Sequence, residues 1–264
     1  MRPRSRDLGR PPLPQLRRYA VDPSLPQRYR PVGFALADTG LLYSLAHRPR
    51  YLELFLELYG ETVTVAEAVA DEIRAVARVP QLDRPHRNLV LMGSCADRLV
   101  VKLNSGAITV AGPPEDSDDL RATVMRQLRE HDRAAAEWRG EAWNLIDASR
   151  AKRHNGEIES ILVAVGVIKS GGTALLLTND GGASRVAWQH EVSAQNLRHV
   201  LAELACADPE LDEGDLLVAF EEMTAHFGTL PEGAGPADSS AFRCRARADK
   251  CHTCDPLANQ VLQR

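Results

Sequence analysis

No stretch of this 264-residue chain approaches the roughly 18 consecutive apolar residues of a membrane-spanning helix, and its N-terminus lacks the apolar core of a secretory signal. Neither a membrane span nor an export route is expected, and the expected location is cytoplasmic. Cysteine is scarce: there are five, an odd number, with Cys95 and Cys206 isolated in the sequence. That pattern excludes a disulfide framework and points to reduced thiols. No internal repeat is visible. Arginine supplies 28 of the 32 basic residues along the whole chain, which reads as a compositional bias rather than a phosphate-binding signal.

What remains is enough for a full core. At 44% hydrophobic, the length fits one large domain or one domain with additions, and neither a fibrous nor a wholly disordered class. The net charge of −4 is unevenly spread: residues 1–30 hold eight Arg and two Asp, or +6, leaving −10 for the remainder. Nucleic acid or an acidic partner would suit such an arm. Its seven Pro before Val32, however, favour disorder over 1–32.

The stretch Gly33–Leu42 organises the rest. An apolar run, Phe34-Ala35-Leu36-Ala37, stops at Asp38-Thr39-Gly40, and a helical pattern begins at Leu41. This reads as a strand ending in a carboxylate, at the edge of an α/β sheet where ligands bind. Two short helices are expected at 39–47 and 50–59, broken at Arg48-Pro49, then a strand at 62–65 and an amphipathic helix at 66–78. On that helix Glu72 lies beside the buried stripe of Val65, Val69, Ile73 and Val76, about 60° from its centre, so its carboxylate needs a partner.

Residues 80–154 read as a mostly helical insertion or cap, with a helix at 88–103, a short strand at 107–110 and a long charged helix from 118 to 139. Trp138 and Trp143 are read as core of that cap rather than as a platform for bases. A helix over 155–168 is apolar on nearly every side and should be buried, with Glu157 and Glu159 in its first turns, where the helix dipole favours a negative charge. A second strong strand, 173–178, ends in Asn179-Asp180-Gly181-Gly182, an acid beside glycine as in the first. A helix at 183–190, a short strand near Val192, and helices at 195–206 and 215–227 complete a domain over 33–227. Strands alternating with helices argue for a parallel sheet covered on both faces. Residues 228–264 read as a Gly/Pro/Ser linker and a Cys-containing tail.

Four carboxylates thus share a description: Asp38 and Asp180 end strands, and Glu72 and Glu159 sit on helices beside buried positions. Clustered anions raise one another's pKa unless a cation joins them. A hard divalent ion held by one or two carboxylates and substrate phosphate oxygens would suit phosphodiester hydrolysis. The order apolar-Asp38-Thr39-Gly40, Val69-Ala70-Asp71-Glu72-Ile73, Gly156-Glu157-Ile158-Glu159 and Leu177-Thr178-Asn179-Asp180 resembles the PIN-domain ribonucleases, in particular the toxin members of toxin–antitoxin pairs. The resemblance implies a three-layer α/β/α fold with a central parallel sheet, an acidic pocket for Mg²⁺ or Mn²⁺, and RNA cleavage. It assigns Asp38, Glu72, Glu159 and Asp180 as catalytic metal-binding acids, supported by Thr39, Thr178 and Glu157. An antitoxin protein and a homodimer are the partners it suggests.

Smaller signals accompany these. Arg150, Lys152, Arg153 and His154 precede Glu159 and are candidates for guiding an RNA backbone. Cys244, Cys251, His252 and Cys254 offer Zn²⁺ ligand types in an irregular spacing, against a tail of free thiols. Two other readings compete. A PIN-like module could bind RNA or protein without cleaving, and Asp38-Thr39-Gly40 also matches the triplet of aspartic proteases, whose paired aspartates require a mostly β fold.

Overall fold

The computed structural model describes residues 32–80, 87–138, 140, 154–208, 210–227, 230–231 and 233–242. The arm 1–31 and the tail beyond 242 lie outside the described residues. Five short strands, β1 (Phe34–Ala37), β2 (Val63–Ala66), β3 (Thr109–Ala111), β4 (Ala174–Leu177) and β5 (Ser193–Gln195), form one sheet in the order β3-β2-β1-β4-β5. Every neighbouring pair is parallel, with Leu36 opposite Thr64 on one side and Leu176 on the other.

Period-2 alternation sorts the strand side chains between two cores. Ala35, Ala37, Leu175 and Leu177 face one side. There they meet α1 (Thr39–His47), α2 (Pro49–Tyr59), α3 (Glu67–Ala77), α4 (Arg87–Asn104), α8 (Leu197–Ala207) and α9 (Glu213–Phe227). Leu36, Ala174 and Leu176 face the other, against α5 (Asp118–Trp138), α6 (Asn155–Lys169) and α7 (Gly181–Gln189). The result is a three-layer α/β/α fold with a central parallel sheet. Each leucine sealed between layers contributes roughly 1.5–3 kcal/mol of burial. The all-apolar α6 is enclosed as its composition demands, with Ile158, Ile161, Leu162 and Ala164 at most 2% exposed. No helix among the described residues is long and apolar enough to cross a membrane.

Several boundaries move by one or two residues for a local reason. Strand β4 stops at Leu177 because Thr178 turns its side chain to the neighbouring strand end, and α7 starts at Gly181 because Asp180 caps it. Helix α8 starts at Leu197 because Asn196 and His199 form a reciprocal cap.

The described residues of 80–154 are mostly helical, as expected, but they do not stand apart as a cap. Strand β3 pairs with β2 as the sheet's edge, α4 belongs to one core, and α5 packs in the other through Val124 and Leu128. Trp138, expected in a cap core, is 80% exposed instead. Trp143 lies outside the described residues. Likewise the stretch read as linker does not run free to its end: a 3-10 turn at Ser239–Phe242 buries Phe242 to 1% exposure, its ring 6.2 Å from that of Phe220.

This contact supports a measurable expectation. Phe242→Ala should lower unfolding stability by about 3–5 kcal/mol in urea titrations, the cost of emptying a buried phenyl site. A loss below about 1 kcal/mol would contradict docking of this segment.

Candidate active site

The sheet order reverses at its centre. From β1 the chain passes outward to β2 and β3, whereas from β4 it passes the other way to β5, so β1 and β4 flank the topological switch point where open α/β sheets leave a crevice. Asp38 follows β1 there, and Thr178-Asn179-Asp180 follows β4.

Their side chains interlock. The Asp38 backbone N–H donates to Leu177 O at 2.9 Å, fixing the two strand ends side by side. Asp38 Oδ1 accepts from Leu41 N–H at 2.7 Å and so caps α1, while Oδ2 accepts from the Thr178 hydroxyl in a short bond. Thr178 Oγ1 in turn accepts from the Asp180 backbone N–H at 3.0 Å, and Asp180 Oδ1 caps α7 by accepting from Ala183 N–H at 2.7 Å. Asp38 and Thr178 are buried at the floor, with Asp180 exposed at the rim. From α3, Glu72 reaches the same place: its Oε2 accepts from the Thr39 hydroxyl at 2.7 Å, at the first residue of α1. Glycine lets α6 approach. A Cβ at Gly156 would stand 3.0 Å from Val69 Cγ2 and 4.0 Å from Glu72 Oε2.

The fourth acid is not the one expected. Glu159 points elsewhere: its Oε2 accepts from Ala68 N–H at 2.9 Å at the start of α3, which has no side-chain cap of its own, and its Oε1 lies 3.4 Å from Arg121 Nη2. Glu157, two residues earlier and about 200° around α6, faces the pocket instead. The carboxylates of Asp38, Asp180 and Glu72 all act on it. Glu159, expected among the clustered acids, is thus engaged by Ala68 and Arg121 away from them, and Glu157, expected only to support them, is the glutamate of α6 that they act on. Helical angle separates the two.

Electrostatics record the crowding. Burial pushes Asp38 up to about 6 against the opposing bonds from Thr178 and Leu41, and the charges of Asp180 and Glu72 add to the rise. Burial likewise lifts Glu157 to about 8, helped by Asp38, Asp180 and Glu72 and opposed by its own backbone N–H. Below the pocket, burial and then Glu72 and Cys95 push the Tyr43 phenol upward. Among the described residues no three His, Cys, Asp or Glu side chains already stand together at metal-ligand spacing. The donors available are carboxylate oxygens, the type that suits a hydrated Mg²⁺ or Mn²⁺ bound partly through its waters.

Two histidines from sequence regions outside the acid pattern border the site. His131 of α5 covers Gly182 in the first turn of α7: a Cβ there would lie 2.8 Å from His131 Nδ1 and 3.0 Å from Asp180 Oδ1. His154 is not a solvated guide residue but is 9% exposed just ahead of α6, with Nε2 at 2.8 Å from Asp132 Oδ2. Arg150, Lys152 and Arg153, like Cys244, Cys251, His252 and Cys254, lie outside the described residues. No family model, curated protein or solved structure matches the chain.

The raised carboxyls set a pH dependence. Glu157 binds its proton more tightly in the folded chain, at about 8, than at its ordinary 4.5. Its contribution to stability is thus complete below 4.5 and lost as pH rises to about 8. In ion-free buffer the urea midpoint of the wild type relative to Glu157→Gln should fall steadily across that window. A difference independent of pH would overturn the burial of this group.

Proposed function

We propose that the chain is a metal-dependent endoribonuclease of PIN type, hydrolysing RNA phosphodiester bonds at the pocket formed by Asp38, Glu72, Glu157 and Asp180. The observation that carries this reading is the convergence of four carboxyls, from four separate segments, on the switch point of a parallel sheet. Two of them hold protons well above their ordinary range, to about 6 and about 8. Carboxyls gathered where burial and one another's charge oppose their ionisation are what a bound cation would relieve. The mostly β fold needed by an aspartic protease is not this one, and the second such triplet is missing from the sequence.

Asp38, Glu72, Glu157 and Asp180 would hold Mg²⁺ or Mn²⁺, which when bound supplies a water of lowered pKa and polarises the phosphodiester. The protein's own groups provide order and proton handling. Thr178 fixes the plane of the Asp38 carboxyl and Thr39 that of Glu72, so both acids are oriented before anything binds. Glu157, raised to about 8 in the ion-free chain, would give up that proton on helping to hold the cation. RNA as substrate, an antitoxin or second copy as partner, and a cytoplasmic setting belong to the same proposal and rest on the resemblance. A non-cleaving RNA- or protein-binding module is the second reading.

The distinguishing experiment compares Asp38→Asn, Asp180→Asn, Glu157→Gln and Glu159→Gln on a labelled RNA oligonucleotide with Mg²⁺ or Mn²⁺. The first three should lose activity by at least about 100-fold while keeping the wild-type circular dichroism spectrum. Glu159→Gln should keep activity within about 10-fold and instead lower stability, because it weakens the α3 start and the Arg121 pair. Undiminished turnover in Asp38→Asn, or turnover in excess chelator, would refute the nuclease reading.

A further inference from the structure

Helix α5 outruns the layer it belongs to. Positions seven apart fall on one stripe of a helix, within about 20°. On α5 that stripe is Val124, His131 and Trp138. Val124 is fully buried in the core, and His131 covers Gly182 beside Asp180. One residue further, Asp132 meets His154 immediately before α6. The helix nevertheless continues to Trp138, so its last residues project about 9 Å past the starts of both α6 and α7, beyond the edge of the sheet where the acids lie. In its last turn Ala136 faces the core, and Trp138, about 160° around the helix from it, is 80% exposed. Its neighbours one turn back, Ala134 and Ala135, are too small to cover an indole.

We infer that Trp138 is a stacking platform for a base of single-stranded RNA whose backbone lies across the acidic pocket; the inference rests on the nuclease reading for its ligand. The stripe is continuous with the pocket: His131 borders Asp180, and Trp138 stands about 10 Å further along the same face. A strand whose phosphate enters the pocket carries a neighbouring base toward that ring. Stacking on an indole face needs an unpaired base, so the platform selects single strands over duplex, with little preference for sequence. No hydrogen-bonding edge is read by an exposed indole, which makes this a determinant of strandedness.

The full chain with Trp143→Phe and Trp188→Phe leaves Trp138 as the sole tryptophan, and Asp38→Asn in the same chain prevents cleavage. Titration with a labelled oligouridylate should quench the indole emission, saturating with the anisotropy of the label. Trp138→Ala should then weaken binding of oligouridylate roughly 5- to 150-fold, the range for losing one stacked base, and leave a matched RNA duplex unaffected. In the active chain it should raise KM with kcat preserved. Binding of oligouridylate without quenching, or with unchanged affinity in Trp138→Ala, overturns the platform. So does self-association in sedimentation that Trp138→Ala abolishes while RNA affinity stays the same. Quenching and Trp138-dependent binding by a chain that never cleaves RNA would instead overturn the nuclease reading and sustain the platform.

Discussion

Everything at the candidate site hangs on the Asp38 carboxyl and its two bonds, one to the first turn of α1 and one to Thr178 at the end of the adjacent strand. A carboxyl taken out of water would be a liability by itself. Here the bonds hold it in place without neutralising it: they lower its pKa, yet burial and two neighbouring acids lift it further, to about 6. Because Thr178 Oγ1 also accepts from the Asp180 N–H, the two central strand ends and two helix starts are joined through three residues. The position of each acid is thereby determined by backbone that the parallel sheet already fixes.

Helix N-termini explain how so many anions coexist. Asp38 and Asp180 each cap a helix, Glu157 lies in the first turn of α6, and Glu159 is aimed at the first turn of α3. Each gains about 0.3–1 kcal/mol from the dipole, enough to soften mutual repulsion and too little to cancel it. Close approach then demands glycine where those helix starts crowd together. At Gly181 a Cβ would meet Pro231 Cγ at 2.5 Å, and at Gly182 it would meet His131. These contacts give physical content to the paired glycines after Asp180.

Much of this was legible beforehand because it is written in short range. The strands ending in Asp38 and near Asp180, the break at Arg48-Pro49, and the enclosed helix at 155–169 all follow from runs, punctuation and period. Glu72 could be singled out because it sits at the margin of an otherwise clean apolar stripe. The choice between Glu157 and Glu159 could not be read the same way. Helix α6 is apolar on every side, so it carries no preferred direction, and only the distant Ala68 N–H and Arg121 decide which glutamate turns inward. The same limit applies to 80–154, where a three-residue edge strand identifies itself only by pairing with β2, and to Trp138, whose exposure depends on where α6 and α7 begin. Phe242 is legible as apolar but not as docked.

On the proposed reading these acids, and not the many others on the surface, hold one cation. Paramagnetic broadening by substoichiometric Mn²⁺ in amide NMR spectra would locate that cation. The N–H signals of Gly40, Gly156, Gly181 and Gly182 are expected to vanish first and together, while those of the exposed Asp118 and Asp119, about 20 Å back along α5 from His131, persist. Broadening that begins at Asp118 and Asp119, or spreads over the acidic surface with no focus at the four glycines, would overturn the shared site.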